Sequence, residues 1–371
     1  MTTFKKLFLL LSFFLVLTPP EANAATLRKR YVDTNSSAGG NGTTNSTSGG
    51  NRAYATLQEG LDAEATDLVS ADVYIEFEVS GTAADGCVDI SGTFVSDATR
   101  YLSIYSASGS RHTGTYNTGK HRIECSGDNA LVIRTAYARI IGLQIKNTQS
   151  NPSRGIVLAS QANGAVYIEG NIIVGPAGVG PDAMGIRSYT SNSGVRLRVS
   201  NNIIYNFYEG IYWVTGDGDD QAIYAYNNTI ADIGDSCIFL SAYGTNDITK
   251  LRDNILQDCA GNDYSIDGTF TTLTTAKNLT EDATSPDGGT YQSKAVVFNN
   301  QASDDYHLGA SDTYAKDAGD TLSADGDYPI TLDIDGTTRS GSWDIGADEY
   351  VDGGGGGSSP VVSALIANGE L

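Results

Sequence analysis

Six segments of the chain share one pattern: a small or polar residue, an anchor, then two mostly apolar residues. They read Gly142-Leu143-Gln144-Ile145, Gly170-Asn171-Ile172-Ile173, Asn201-Asn202-Ile203-Ile204, Asn227-Asn228-Thr229-Ile230, Asp253-Asn254-Ile255-Leu256 and Lys277-Asn278-Leu279-Thr280. Successive anchors (Leu143, Asn171, Asn202, Asn228, Asn254, Asn278) stand 28, 31, 26, 26 and 24 residues apart by subtraction. A second ladder runs in phase: Gly155-Ile156, Gly185-Ile186, Gly210-Ile211 and Cys237-Ile238. Self-similarity at such a period is the mark of a repeat architecture.

The residue types restrict which repeat this is. Asn and Gly tolerate the left-handed backbone needed where a strand bends sharply into the next. A buried Asn can also hydrogen-bond the Asn one coil above and below. Apolar residues at every second strand position point inward and stack on their equivalents in neighbouring coils. One coil alone buries too little to be stable, but stacked coils share a continuous core. A leucine-rich repeat is excluded because its Leu-x-x-Leu-x-Leu signature is absent, and a propeller would need longer, regular blades. The expected fold is all-β: a right-handed parallel β-helix.

The N-terminal end reads as an export signal over residues 1–24. Lys5 and Lys6 precede an apolar run from Leu7 to Leu17, and Ala22-Asn23-Ala24 offers a small-residue cleavage site. Cleavage would leave a chain beginning near Ala25, outside the cytoplasm or at the cell surface, with no membrane insertion. The formal net charge of −21, from 44 acidic and 23 basic residues, excludes nucleic acid as a partner because phosphate would be repelled. Export permits disulfides. Cys87, Cys125, Cys237 and Cys259 allow three pairings. Cys237–Cys259 and Cys87–Cys125 are favoured, since each falls within about one repeat length. A cysteine metal site is not expected: there is no Cys-x-x-Cys, and His112, His121 and His307 are scattered.

Residues 25–350 form the expected solenoid domain, and they carry a resemblance. Tyr31-Val32-Asp33, a Gly/Asn/Thr/Ser stretch and Tyr54-Ala55-Thr56-Leu57-Gln58-Glu59-Gly60-Leu61-Asp62-Ala63 open it; the coils follow. Asp333-Ile334-Asp335-Gly336-Thr337-Thr338-Arg339 and Asp344-Ile345-Gly346-Ala347-Asp348-Glu349-Tyr350 close it. In this the chain resembles the secreted bacterial right-handed parallel β-helix proteins of the pectate-lyase-like superfamily, over roughly residues 30 to 350. Independently, Thr56 and Glu59 have capping-box spacing and Leu57 and Leu61 share a helical face, so a short helix near 54–65 should cover the open bottom of the core. Val73, Ile75, Phe77 and Val79 alternate as the first clear strand. In the closing motif Arg339 is expected to pair with Asp333, Asp335 and Asp344 at the helix top. A calcium loop fits less well, because Gly336 comes too early and the final bidentate Glu is missing. Residues 351–371 read as a Gly/Ser linker and a tail.

Strand alternation assigns faces. Ala138 and Ile140, Val166 and Ile168, Leu197 and Val199, Ile223 and Ala225 point inward. Outward, four positions before each anchor, stand Arg139, Tyr167, Arg198, Tyr224 and Lys250; two positions before stand Ile141, Glu169, Ser200, Tyr226 and Arg252. With coils about 4.8 Å apart, the first column spans on the order of 19 Å. A basic and aromatic stripe (Arg139, Tyr167, Arg198, Tyr224, Tyr226, Lys250, Arg252) on an acidic chain suits an acidic polysaccharide: guanidinium groups pair with acid groups and Tyr rings stack on sugar faces. The competing reading is a purely structural Arg–Tyr stack. Tyr205, Phe207, Tyr208, Tyr212 and Trp213 add aromatics that could form a sugar platform.

Two function classes follow. One is a non-catalytic, glycan-contacting or adhesin-like module that requires no cofactor. The other is a polysaccharide lyase acting on a uronate polymer, as the resemblance implies, with Arg198 or Lys250 as base, Tyr224 as proton donor, and calcium held by Asp217, Asp219 and Asp220. The absence of the lyase family's catalytic segments favours the first. The superfamily's hydrolase branch is disfavoured, since no His-Gly or coil-borne Arg-x-Lys segment is present.

Overall fold

The computed structural model describes residues 24–159, 163–190, 192–216 and 220–351. The expected signal, the linker beyond Val351 and the tail lie outside these residues. Among them no helix is long and apolar enough to cross a membrane.

The chain winds into a parallel β-helix, the architecture expected from the repeat. Three parallel sheets of nine, eight and seven strands form its faces, and each strand pairs with its equivalents one coil away. The nine-stranded sheet, here sheet A, ends in the strands Ala138–Ile141, Gly164–Glu169, Val195–Ser200, Ala222–Tyr226, Ile248–Arg252 and Thr272–Ala276. Inward residues of all three sheets, among them Ile140, Ile168, Val199, Ile186, Ile211, Ile173 and Ile204, are fully buried in one continuous core. The expected capping helix is Leu57–Glu64, with Thr56 accepting from the Glu59 amide and Leu57, Gly60 and Leu61 buried. The Glu59 carboxylate reaches back to the Ala55 amide at 2.8 Å.

The asparagine corner exists as a ladder. Oδ1 of Asn202 accepts from Nδ2 and the main-chain N–H of Asn171 at 3.0 and 2.9 Å. The same double contact joins Asn202 to Asn228, Asn228 to Asn254 and Asn254 to Asn278. Asn171 Oδ1 accepts from the Leu143 amide, so the apolar variant starts the ladder without breaking it. The ladder asparagines are not the left-handed residues. Positive φ falls one position earlier, at Gly142, Gly170, Asn201, Asn227, Asp253 and Lys277. The division of labour is physical: one residue turns the chain and the next holds the coils together.

The four cysteines pair as Cys87–Cys125 and Cys237–Cys259. The closing motif differs from expectation. Arg339 is buried, and it bonds mainly to carbonyls, of Asp344, Gly346 and Ala347, with Glu349 as its one carboxylate. Asp333 and Asp344 instead accept from backbone amides of Thr337, Asp317 and Tyr350. Nor does the motif sit on the helix top. It lies along the flank, where Arg339 meets Asn201, the Ala347 amide meets Thr229, and the Gly346 amide meets Asp253. Burying Ile334, Ile345 and Ala347 against Ile172, Ile203 and Ile255 drives that placement.

Candidate functional site

Sheet A builds the site from its register. Arg139 pairs with Tyr167, Tyr167 with Arg198, Arg198 with Tyr224 and Tyr224 with Lys250. The second column runs Ile141, Glu169, Ser200, Tyr226, Arg252. Both columns therefore stand as alternation placed them, on the outer face.

What covers them is new. Segment 320–331 crosses the C-terminal half of the sheet as a strap. Leu322, Tyr328 and Ile330 bury against Ala222, Tyr224, Tyr226 and Trp343. Asp325 Oδ1 accepts from the amides of Asp327 and Tyr328, a turn that aims the acidic side chains at the sheet. Asp327 pairs with Lys250, Asp325 and Asp320 with the two ends of the Arg252 guanidinium, and Asp320 with Lys277. Tyr224 and Tyr226 are consequently buried, not exposed. Opposite charge and apolar burial act together here, so the expected open stripe is shortened to its N-terminal half.

That N-terminal half forms one wall of a cleft of about 1230 Å³, lined among others by Tyr137, Arg139, Tyr167, Glu169, Arg196 and Arg198, with Gly326, Asp327 and Tyr328 of the strap also at its edge. The Tyr faces are not free for sugar. Tyr167 is sandwiched by the Arg139 and Arg198 guanidinium groups, each 5.0 Å from its centroid. Tyr101 lies 4.4 Å from Arg139 on the other side, and Tyr224 5.1 Å from Arg198. The stacked arrangement is thus real, and it corrects the expectation that these rings stack on sugars. It also clamps the guanidinium planes so that only their N–H edges remain available.

The cations differ in how far they are satisfied. Arg196 pairs with Asp220 at 2.8 Å. Arg198 donates one bond, from Nε to the Asp327 carbonyl. Arg139 makes no hydrogen bond or ion pair among the described residues, while its rings hold it in place. At the cleft floor, Glu169 accepts from the Tyr328 hydroxyl at 2.7 Å, and that hydroxyl also meets Ser200 Oγ at 2.6 Å. Burial raises the Glu169 carboxyl above its ordinary range, against the pull of the Tyr328 bond and the charges of Arg139 and Arg198. Burial likewise raises the Tyr167 and Tyr328 phenols.

The catalytic trio Arg198, Tyr224 and Lys250 is not assembled in the open: Tyr224 is buried and Lys250 is already paired. Of the calcium candidates, Asp217 and Asp219 lie outside the described residues, and Asp220 is engaged by Arg196. The extra aromatics do not make a platform. Tyr205, Phe207 and Trp213 are buried, Tyr205 against Tyr306, whereas Tyr212 stacks on Phe239 on the seven-stranded sheet. Sequence reasoning missed Arg196, Asp327 and Tyr328. The signal for the strap was its acidic turn, Asp325-Gly326-Asp327-Tyr328-Pro329, but nothing local shows that it meets Lys250, a partner 77 residues away.

No protein-family model matches the chain, and no curated protein does. Among solved structures, that of pectate lyase Pel9A aligns over 89% of this chain and 98% of its own at 13% identity, with a TM-score of 0.39. The fold described above rests on the sheets and ladders themselves, not on that likeness.

Proposed function

We propose that this is an exported β-helix module whose sheet-A cleft binds an acidic polysaccharide. One observation carries the reading: on a chain of net charge −21, an unpaired arginine and a half-satisfied one stand clamped between tyrosines in an open cleft. Pre-stacked guanidinium groups lose little entropy on meeting a carboxylate or sulfate, and the bidentate geometry suits planar acid groups. Two disulfides support an oxidising compartment. The test is calorimetry of the purified protein against acidic and neutral polysaccharides at low and high salt. Binding confined to acidic polymers, weakened by salt and abolished by R139Q together with R198Q, is expected; equal binding of neutral glycans, or none of any acidic one, overturns it.

A second reading, a lyase, is favoured by Glu169 alone. A desolvated carboxyl on the cleft floor is a stronger base than an exposed one, suited to taking the proton α to a uronate carboxylate while Arg139 and Arg198 hold that acid. Incubation with uronate polymers would then release chain ends with a ring double bond, detected by ultraviolet absorbance, and E169Q would stop it. A flat trace across the panel removes this reading and leaves the first.

A further inference from the structure

We propose that Arg139 and Arg198 are two subsites of one anion ladder, spaced for an acidic polysaccharide that lies along the solenoid axis and turns a charged group to the sheet at every second sugar. The inference rests on the acidic-glycan reading of the cleft and specifies its ligand.

The first column alternates strictly: cations at Arg139, Arg198 and Lys250, rings at Tyr167 and Tyr224. Cations therefore recur every second coil, about 9.6 Å apart at roughly 4.8 Å per coil. Each guanidinium is held on both faces by rings, so its position along the axis is set by the coil spacing and not by side-chain freedom. An extended 1,4-linked uronate chain of near two-fold symmetry presents alternate carboxylates on the same side, one disaccharide apart. That periodicity matches a two-coil step; a ligand crossing the sheet along the Arg198 strand would meet only Arg196 besides, and that side chain is already paired with Asp220.

The molecule supplies its own example of the contact. The third cation, Lys250, is already occupied by a carboxylate, that of Asp327 in the strap. Gly326 and Asp327 line the cleft beside it, so the strap closes the ladder after two open subsites. Asp327 stands where the next acid group of a longer ligand would sit.

The experiment is calorimetric titration with oligouronates of increasing length, all at one low salt concentration. A trimer is the shortest oligomer to span both arginines, so affinity should step up by about tenfold or more from dimer to trimer, the size of one charge-assisted contact. R139Q and R198Q should each erase that step, leaving the single contact a dimer makes, and the double variant should lose binding at every length. D327N, which frees Lys250 at an exposed position, should add a second step between tetramer and pentamer; unchanged melting temperatures show that the variants fold. A smooth rise with length, or a dimer-to-trimer step that survives either single variant, overturns the ladder while acidic-glycan binding stands. Absence of binding at every length sinks both.

Discussion

Gly185 shows how closely single residues are constrained in this solenoid. A Cβ there would lie 2.5 Å from Ile204 Cγ2 and 2.6 Å from the Gly210 carbonyl, and Gly155 and Gly210 meet the same obstruction one coil away. Ladder neighbours on both sides cannot recede, so Gly185→Ala should cost on the order of 1–3 kcal/mol through overpacking, read as a lower urea midpoint. A midpoint equal to the parent's would show that the coils can separate locally. Asn228 is constrained by bonding instead. Its Oδ1 serves two donors of Asn202 while its Nδ2 serves Asn254 and the Val199 carbonyl. Asn228→Ala strands several buried groups at about 1–3 kcal/mol each, so a loss of roughly 3 kcal/mol or more is expected in the same assay. A loss below about 1 kcal/mol would mean that water replaces the amide.

Among the elements, the strap is the piece most separable from the rest. Its hold on sheet A comes from Tyr328, whose ring packs 5.6 Å from Tyr226 and whose hydroxyl joins Glu169 and Ser200, and from three carboxylate–cation contacts. The half-exposed ion pairs contribute little each, whereas burying the tyrosine contributes most. Tyr328→Ala should therefore raise amide hydrogen exchange in 320–331 at least tenfold while the coil strands stay protected. Equal exchange before and after would place the anchor in the ion pairs, or in Leu322 and Ile330.

Across the whole molecule, buried acids and one histidine bias stability toward mild acid. Desolvation pushes Asp253, Asp263 and Asp333 up to about 7 and Glu209 up to about 8. A carboxyl raised in the folded state favours folding most below its unfolded value near 4 and loses that contribution as pH rises through the folded value. For His307, burial acts to lower the value, but Asp335, Asp348 and Asp305 outweigh it and hold the imidazole at about 10. Its contribution is complete below about 6.5 and is lost as pH climbs through about 10. The net charge of −21 adds self-repulsion in the same direction. Melting temperature should peak near pH 5 and fall toward pH 10, and H307Q should flatten the part of that fall above pH 6.5. A melting temperature that rises from pH 5 to pH 9 contradicts this account.

The repeat made the architecture legible because its information is local and periodic. Alternation set which residues face in, the Asn anchors set the coil boundaries, and Thr56 with Glu59 set the cap helix; each depends on neighbours within one coil or on the same position one coil on. The columns Arg139 to Lys250 and Glu169 to Arg252 followed from that register. What covers a column did not. The strap reaches Lys250, Arg252 and Tyr226 from some 70 to 100 residues later in the chain, outside the periodic pattern, and it converts an exposed stripe into a shorter cleft. The flank position of the closing motif was hidden for the same reason. Sequence by itself determined the solenoid and the outward ladder, since both repeat at a fixed period; only the tertiary structure decided which rungs stay open, because that depends on non-repeating chain folding back across the coils.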